Sequence, residues 1–99
     1  MPRFTIEFTE EALESLTFLR KNEQVVVLNA IDLHLAPEPI VETRNRKPLR
    51  PNELSQWELR VRHLHVFHNV NLDAATVTVI AIGRKEHNKY FIRGKEFRL

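Results

Sequence analysis

The chain has no cysteine, which excludes disulfides and thiolate-held metals and suits a reducing compartment. Glycine occurs twice and tryptophan once, and no stretch is repetitive, low in complexity or disorder-like in composition. Long hydrophobic runs are also missing: nothing approaches the roughly 18–20 apolar residues of a membrane span. No secretory leader pattern opens the sequence. These absences lead to the expectation of a soluble, cytoplasmic protein that makes no membrane contact. What remains is 99 residues, 42% of them hydrophobic, enough for a single domain over residues 1–99 with one modest core.

The net charge of +2 hides a lopsided distribution. Through residue 40, Arg3, Arg20 and Lys21 face seven acids. Residues 41–62 then carry six basic residues against Glu42, Glu53 and Glu58, and residues 84–99 six against Glu86 and Glu96. Such segregation points to a polyanion or an acidic peptide meeting the basic half, although a charge run on its own is as often a solvated surface.

The acidic half is patterned as helix and the basic half as strand. Phe4-Thr5-Ile6-Glu7-Phe8 alternates with period two and reads as a first strand. Thr9 is placed to cap a helix whose stripe is Leu13, Leu16 and Leu19, and Asn22 to cap a second with Val25, Leu28, Ile31 and Leu35. Pro37 and Pro39 stop it. Residues 36–55, with four prolines, read as a long irregular arm of the kind that tends to be functional. Trp57–Val61, Leu64–Val70 and Thr76–Ile82 read as a meander, with a turn at Asn71–Ala74 and Gly83 as its end. The tail from Tyr90 reads as a further strand or hairpin. A helical hairpin therefore covers one face of the sheet and leaves the other free for a ligand.

Trp57-Glu58-Leu59-Arg60-Val61-Arg62-His63-Leu64-His65-Val66-Phe67-His68 resembles the W-x-L-R-V-G-x-Y-R-V-F-Y stretch of RelE/ParE toxins, the toxins of type II toxin–antitoxin systems. Pro48-Leu49 before it and Ile80-Ala81-Ile82-Gly83-Arg84-Lys85-Glu86-His87 after it sit where that family carries its other elements, so the resemblance spans nearly the whole chain. It implies an α+β fold: an N-terminal strand and a two-helix hairpin packed on one face of a four- to five-stranded, mainly antiparallel sheet. It also implies one of two activities. RelE-like members are endoribonucleases that cut mRNA on the ribosome and inhibit translation, whereas ParE-like members poison DNA gyrase. Both are silenced by a cognate antitoxin, through which alone they reach operator DNA.

The chain departs from the RelE pattern at the positions that matter for catalysis. Gln56 and Glu58 stand where lysines are usual, His65 replaces an arginine, and Arg62 replaces a glycine. Leu64 and His68 replace tyrosines, Lys85 replaces the arginine after the last strand, and Phe91 aligns with the tail tyrosine, with Tyr90 beside it. His87-Asn88-Lys89-Tyr90-Phe91 resembles instead the tail of YafQ-type toxins, where a catalytic histidine precedes a phenylalanine by four residues.

Cutting RNA without a metal needs a base for the 2′-hydroxyl proton, cations for the phosphate and an acid for the leaving 5′ oxygen. Histidine suits either proton role, and arginine or lysine the phosphate. His63, His65 and Phe67 are expected on one face of their strand and His68 on the core face, buried or at an edge. His65 and His87, both expected at the surface, form the candidate acid/base pair, with Lys85 and Arg60 as catalytic cations. Arg44, Arg46, Lys47 and Arg50 on the arm are candidates for gripping RNA phosphates, or equally for an antitoxin contact or for solvation. Arg62, His63, Phe67, Arg84, Tyr90 and Phe91 complete the expected RNA-binding surface, with a base stacking on Phe67. His63 and His65 alone lack a third ligand, so no metal and no cofactor are expected. The reading is a metal-independent mRNA endoribonuclease with mRNA, the ribosome and an antitoxin as partners. Its alternative is a ParE-like gyrase inhibitor or a catalytically impaired, antitoxin-binding regulator.

Overall fold

A computed structural model describes residues 3–98. In chain order the elements are β1 (Thr5–Phe8), α1 (Glu10–Leu16), α2 (Lys21–Leu35), β2 (Arg46–Pro48), β3 (Trp57–Val61), β4 (Leu64–Asn71), β5 (Thr76–Glu86), β6 (Lys89–Ile92) and β7 (Lys95–Phe97). β2 through β7 pair with their sequence neighbours, all antiparallel, and β1 joins β5 as the parallel pair. The sheet thus has seven strands, more than the four or five read from the pattern. The excess comes from short pieces: the irregular arm contributes β2, and the tail folds into the β6–β7 hairpin.

β5 organises the sheet. One edge pairs with β4, while the other is shared by β1 along Thr76–Val79 and by β6 along Arg84–Glu86. In the gap between them α1 supplies the missing partners: Thr9 Oγ1 donates to the Ile80 carbonyl at 3.0 Å and Ser15 Oγ accepts from Ile82 N–H at 3.0 Å. Buried backbone groups need partners, which explains a buried serine on the apolar stripe. Phe67 faces Ala81 but His68 faces Val79, so Ile80 is an extra, bulged residue. The bulge lets Val77, Val79 and Ile82 all point to the helices and leaves Ala81 beside Phe67 on the opposite face.

Both helices pack on that first face. Ala12, Leu16 and Leu19, with Val27, Ile31 and Leu35, join Leu59, Leu64, Val66 and the β5 residues in one cluster. Leu13, Val25 and Leu28, expected in the stripes, are exposed instead. In α2 the buried stripe runs strictly at i, i+4, i+8 from Val27. Nor does Asn22 cap α2: the helix starts at Lys21, and Glu23 reaches back to accept from Arg20 N–H at 2.9 Å.

Four turns among the described residues carry left-handed backbone, at Arg62, Ala75, His87-Asn88 and Arg93-Gly94, and two of them border the candidate site. Arg62, at φ 60°, closes β3–β4 at the position where the pattern the sequence resembles has glycine, so this chain accepts strain there. His87 and Asn88, at φ 51° and 66°, form the primed turn between β5 and β6 that suits the twist of a hairpin. Gly83 lies inside β5 and does not end it: a Cβ there would sit 2.6 Å from the Phe91 carbonyl oxygen.

Candidate functional site

On the face away from the helices, strand alternation and pairing register bring six side chains together. β3 supplies Glu58 and Arg60, β4 His65 and Phe67, β5 Lys85 and β6 Tyr90. Arg60 faces His65, Glu58 faces Phe67 and Lys85 faces Tyr90 across the ladders, and directly opposed residues share a face. The arm around β2 forms the far wall. The result is a cleft of about 270 Å³ lined by Arg44, Asn45, Lys47, Pro48, Leu49, Glu58, Arg60, His65, Lys85 and Tyr90. A second groove of about 350 Å³ shares Arg60, His65 and Lys85 with it and continues past Arg62 and His63 to His87 and Asn88 at the β5–β6 turn.

His65 sits on the floor, only 3% exposed. Its Nδ1 lies 2.6 Å from Glu58 Oε1. An ionised carboxylate only accepts, so Nδ1 carries a proton, and in the neutral ring the lone pair is then on Nε2. Nε2 has no hydrogen-bond partner among the described residues and is not sealed from solvent. Phe67 stacks on the imidazole at 6.4 Å between ring centres, and Tyr90 meets it edge-on at 5.0 Å. The Tyr90 hydroxyl donates to Glu58 Oε2 at 3.5 Å, so one carboxylate serves both rings. Burial, then the Glu58 charge and that hydrogen bond, raise the Tyr90 pKa, which keeps the phenol protonated at neutral pH. Lys85 Nζ stands 5.4 Å from the centre of the Tyr90 ring, and Asn45 Oδ1 holds the Arg60 guanidinium at 3.0 and 3.3 Å.

The structure thus gathers nine of the sequence candidates in the two grooves: Arg44, Lys47, Arg60, Arg62, His63, His65, Lys85, His87 and Tyr90. The other five are elsewhere. Arg46 is 4% exposed; its guanidinium donates to the carbonyls of Val41 and His34, tying the arm to the end of α2, and is not free for phosphate. Arg50 borders a separate polar depression with Asn52, Ser55 and Asn69. Phe67 is fully buried beneath His65, so no base can stack on it. Arg84 points to the helix side, where its Nη2 meets Glu23 Oε1 at 2.8 Å. Phe91 faces Arg84 across the ladder and shares that side, which leaves Tyr90 as the cleft aromatic.

Two histidines also depart from expectation. His65 is buried rather than superficial. His63 leaves the strand at the Arg62 turn, and its Nε2 binds Glu23 Oε2 at 2.7 Å while the ring borders the second groove. Glu23 is held at about 2, chiefly by Arg20 N–H and then by His63 and Arg84, against the upward push of its own burial. His68 is on the core face, fully buried: Nδ1 contacts the Val66 carbonyl, Nε2 has no partner among the described residues, and burial depresses its pKa to about 4. Sequence reasoning missed Glu58, taken only as a missing lysine, and Asn45. The available signal was diagonal placement: Glu58 lies two residues before Arg60, the direct partner of His65, within reach of a long side chain. Among the described residues no three His, Cys, Asp or Glu side chains form a metal-binding group, and no helix is long and apolar enough to cross a membrane.

A helical hairpin packed on one face of a mainly antiparallel sheet is the RelE-like α+β fold. The chain is similar, with a TM-score of 0.75 and 22% identity, to a chain in the crystal structure of the toxin–antitoxin complex RelBE2 from Mycobacterium tuberculosis; the match covers 86% of this chain and 94% of that one. No family model and no curated protein matches the chain.

Proposed function

We propose that this chain is the toxin of a type II toxin–antitoxin pair, one cytoplasmic domain that cleaves mRNA on the ribosome without a metal. The observation that carries the reading is His65, locked by Glu58 at 2.6 Å on the floor of a cleft whose other charged lining residues are Arg44, Lys47, Arg60 and Lys85. Nε2 of His65 takes the proton of a 2′-hydroxyl, and the freed oxygen attacks the adjacent phosphorus. Arg60 and Lys85 stabilise the charge growing on the non-bridging oxygens. His87 gives its proton to the departing 5′ oxygen, leaving a 2′,3′-cyclic phosphate and a 5′-hydroxyl. Arg44, Lys47 and Arg62 hold the flanking backbone, and Tyr90 offers an aromatic wall. A cognate antitoxin with an acidic segment is the partner that neutralises the cleft.

Induced expression followed by primer extension on a reporter transcript tests this. Translation arrest with discrete cuts is expected, and His65→Ala or His87→Ala should lower single-turnover cleavage by about 10²–10⁴-fold, the usual worth of a positioned proton carrier. Because His65 is buried, its variant also loses stability, so turnover is compared per folded molecule. Intact message with a DNA-damage response would establish the gyrase-poison reading instead, which Glu58 favours by standing where the RelE nucleases carry a cation.

A further inference from the structure

A carboxylate is out of place in an anion-binding cleft unless its charge is used internally. Glu58 is the acid that lines this cleft, and neither of its oxygens is free: Oε1 holds His65 Nδ1 at 2.6 Å and Oε2 accepts from the Tyr90 hydroxyl at 3.5 Å. The pair is largely withdrawn from water, with side chains 14% and 4% exposed, and charge–charge attraction strengthens where solvent is excluded. Asn45 Oδ1 similarly accepts from the guanidinium of the exposed Arg60 at 3.0 Å.

We propose that Glu58 is a positioning residue: it fixes His65 in the tautomer with Nε2 unprotonated toward the cleft, anchors Tyr90 over the same ring, and stabilises the imidazolium formed when Nε2 accepts a proton. The inference rests on the nuclease reading for its catalytic meaning, but the tautomer it assigns is a property of the free protein. Glu58 touches no substrate and acts only through His65 and Tyr90. Its negative charge is outnumbered in the cleft by Arg44, Lys47, Arg60 and Lys85. The chemistry parallels that of buried carboxylates behind catalytic histidines, where losing the charge with the geometry intact costs orders of magnitude in turnover.

The test has two arms that fail separately. Nitrogen-15 spectra of histidine-labelled protein, without RNA, should show His65 above its titration as one tautomer, with Nδ1 protonated. Glu58→Ala should let both tautomers populate, and Tyr90→Phe should leave the first dominant. In single-turnover cleavage, Glu58→Gln, which keeps shape and loses charge, should lower the rate constant about 10²-fold or more at unchanged half-saturating RNA. Glu58→Asp should recover part of that loss, and circular dichroism establishes that each variant folds. A folded Glu58→Ala protein with an unchanged His65 spectrum overturns the assignment, as does Glu58→Gln cleaving at the wild-type rate or losing only RNA affinity. Wild-type protein that cuts no RNA while its His65 tautomer depends on Glu58 defeats the nuclease reading and leaves the positioning role standing.

Discussion

Replacing Arg46 by methionine separates a structural arginine from an RNA-binding one. The substitution keeps the apolar stem and removes the guanidinium, whose Nε and Nη1 donate to the carbonyls of Val41 and His34, with Glu38 3.9 Å away. Two carbonyls at the junction of α2 and the arm then lose charge-assisted donors. Each unpaired acceptor costs about 1–3 kcal/mol, while sparing the desolvation of a buried cation returns part of that. The balance is a loss of about 2–4 kcal/mol. For a domain of about 100 residues each kcal/mol moves Tm by about 4–8 °C, so a fall of roughly 8–32 °C follows. Circular dichroism melts and urea titrations measure it, and fluorescence anisotropy with a labelled RNA, well below the transition, measures binding. The reasoning predicts a strongly destabilised protein whose folded fraction binds RNA at near wild-type affinity. A stability change under about 0.5 kcal/mol, the range of ordinary surface substitutions, together with a lost RNA contact, would refute it.

Three further outcomes follow from the same geometry. Lys85→Ala should weaken RNA binding and lower the slope of log affinity against log salt by about one unit, the signature of a lost phosphate contact, whereas Arg84→Ala, whose charge is engaged by Glu23, should leave the slope unchanged in the same titration. Gly83→Ala would put a methyl group 2.6 Å from the Phe91 carbonyl oxygen and force β6 away, so it should cost about 1–3 kcal/mol and cut turnover per folded molecule by displacing Tyr90; unaltered melting and activity would show that the strand yields. His68 resists protonation down to about 4 when folded but accepts a proton near 6.5 when unfolded, so the unfolded chain binds the extra proton and stability falls, by an order-of-magnitude 3 kcal/mol, as pH drops from about 6.5 to about 4. Denaturation at stepped pH should flatten across that window in His68→Leu, while the loss below pH 4.5 that Glu23 contributes persists.

The strands of the meander were legible because period-two alternation depends on one strand and one buried face. Cross-strand register was not, and the site lives in the register. Glu58 reads as a departure from a motif until its diagonal relation to His65 is known, and Phe67 reads as a stacking platform until His65 and Tyr90 are seen to cover it. In α2 the choice of Val25 and Leu28 failed because several apolar stripes compete on a helix with so many aliphatic residues, and only contact with β3 and β4 selects Val27 and Ile31. Arg46 has the composition of a solvated arm, yet nothing local distinguishes it from Arg44; the carbonyls that bury it belong to residues five and twelve positions away.

The segregated charge of the sequence acquires a meaning once these contacts are known. Acids from the first 40 residues meet cations from the basic half: Glu23 with Arg84 in a partly buried pair, Glu14 with Arg93 at the surface, and Glu38 beside the buried Arg46. These pairs withdraw three of the basic residues that composition alone would credit to a polyanion site. Arg44, Lys47, Arg60, Arg62 and Lys85 have no ion-pair partner among the described residues, and every one of them borders the two grooves that meet at His65. Arg50 and Lys95 are likewise without an ion-pair partner among the described residues but border other depressions, so five of the seven unpaired cations of the basic half gather around the imidazole. On the proposed nuclease reading, an RNA drawn by these cations would bring a phosphate beside His65, the imidazole that Glu58 orients, so that attraction and proton transfer would share a single address.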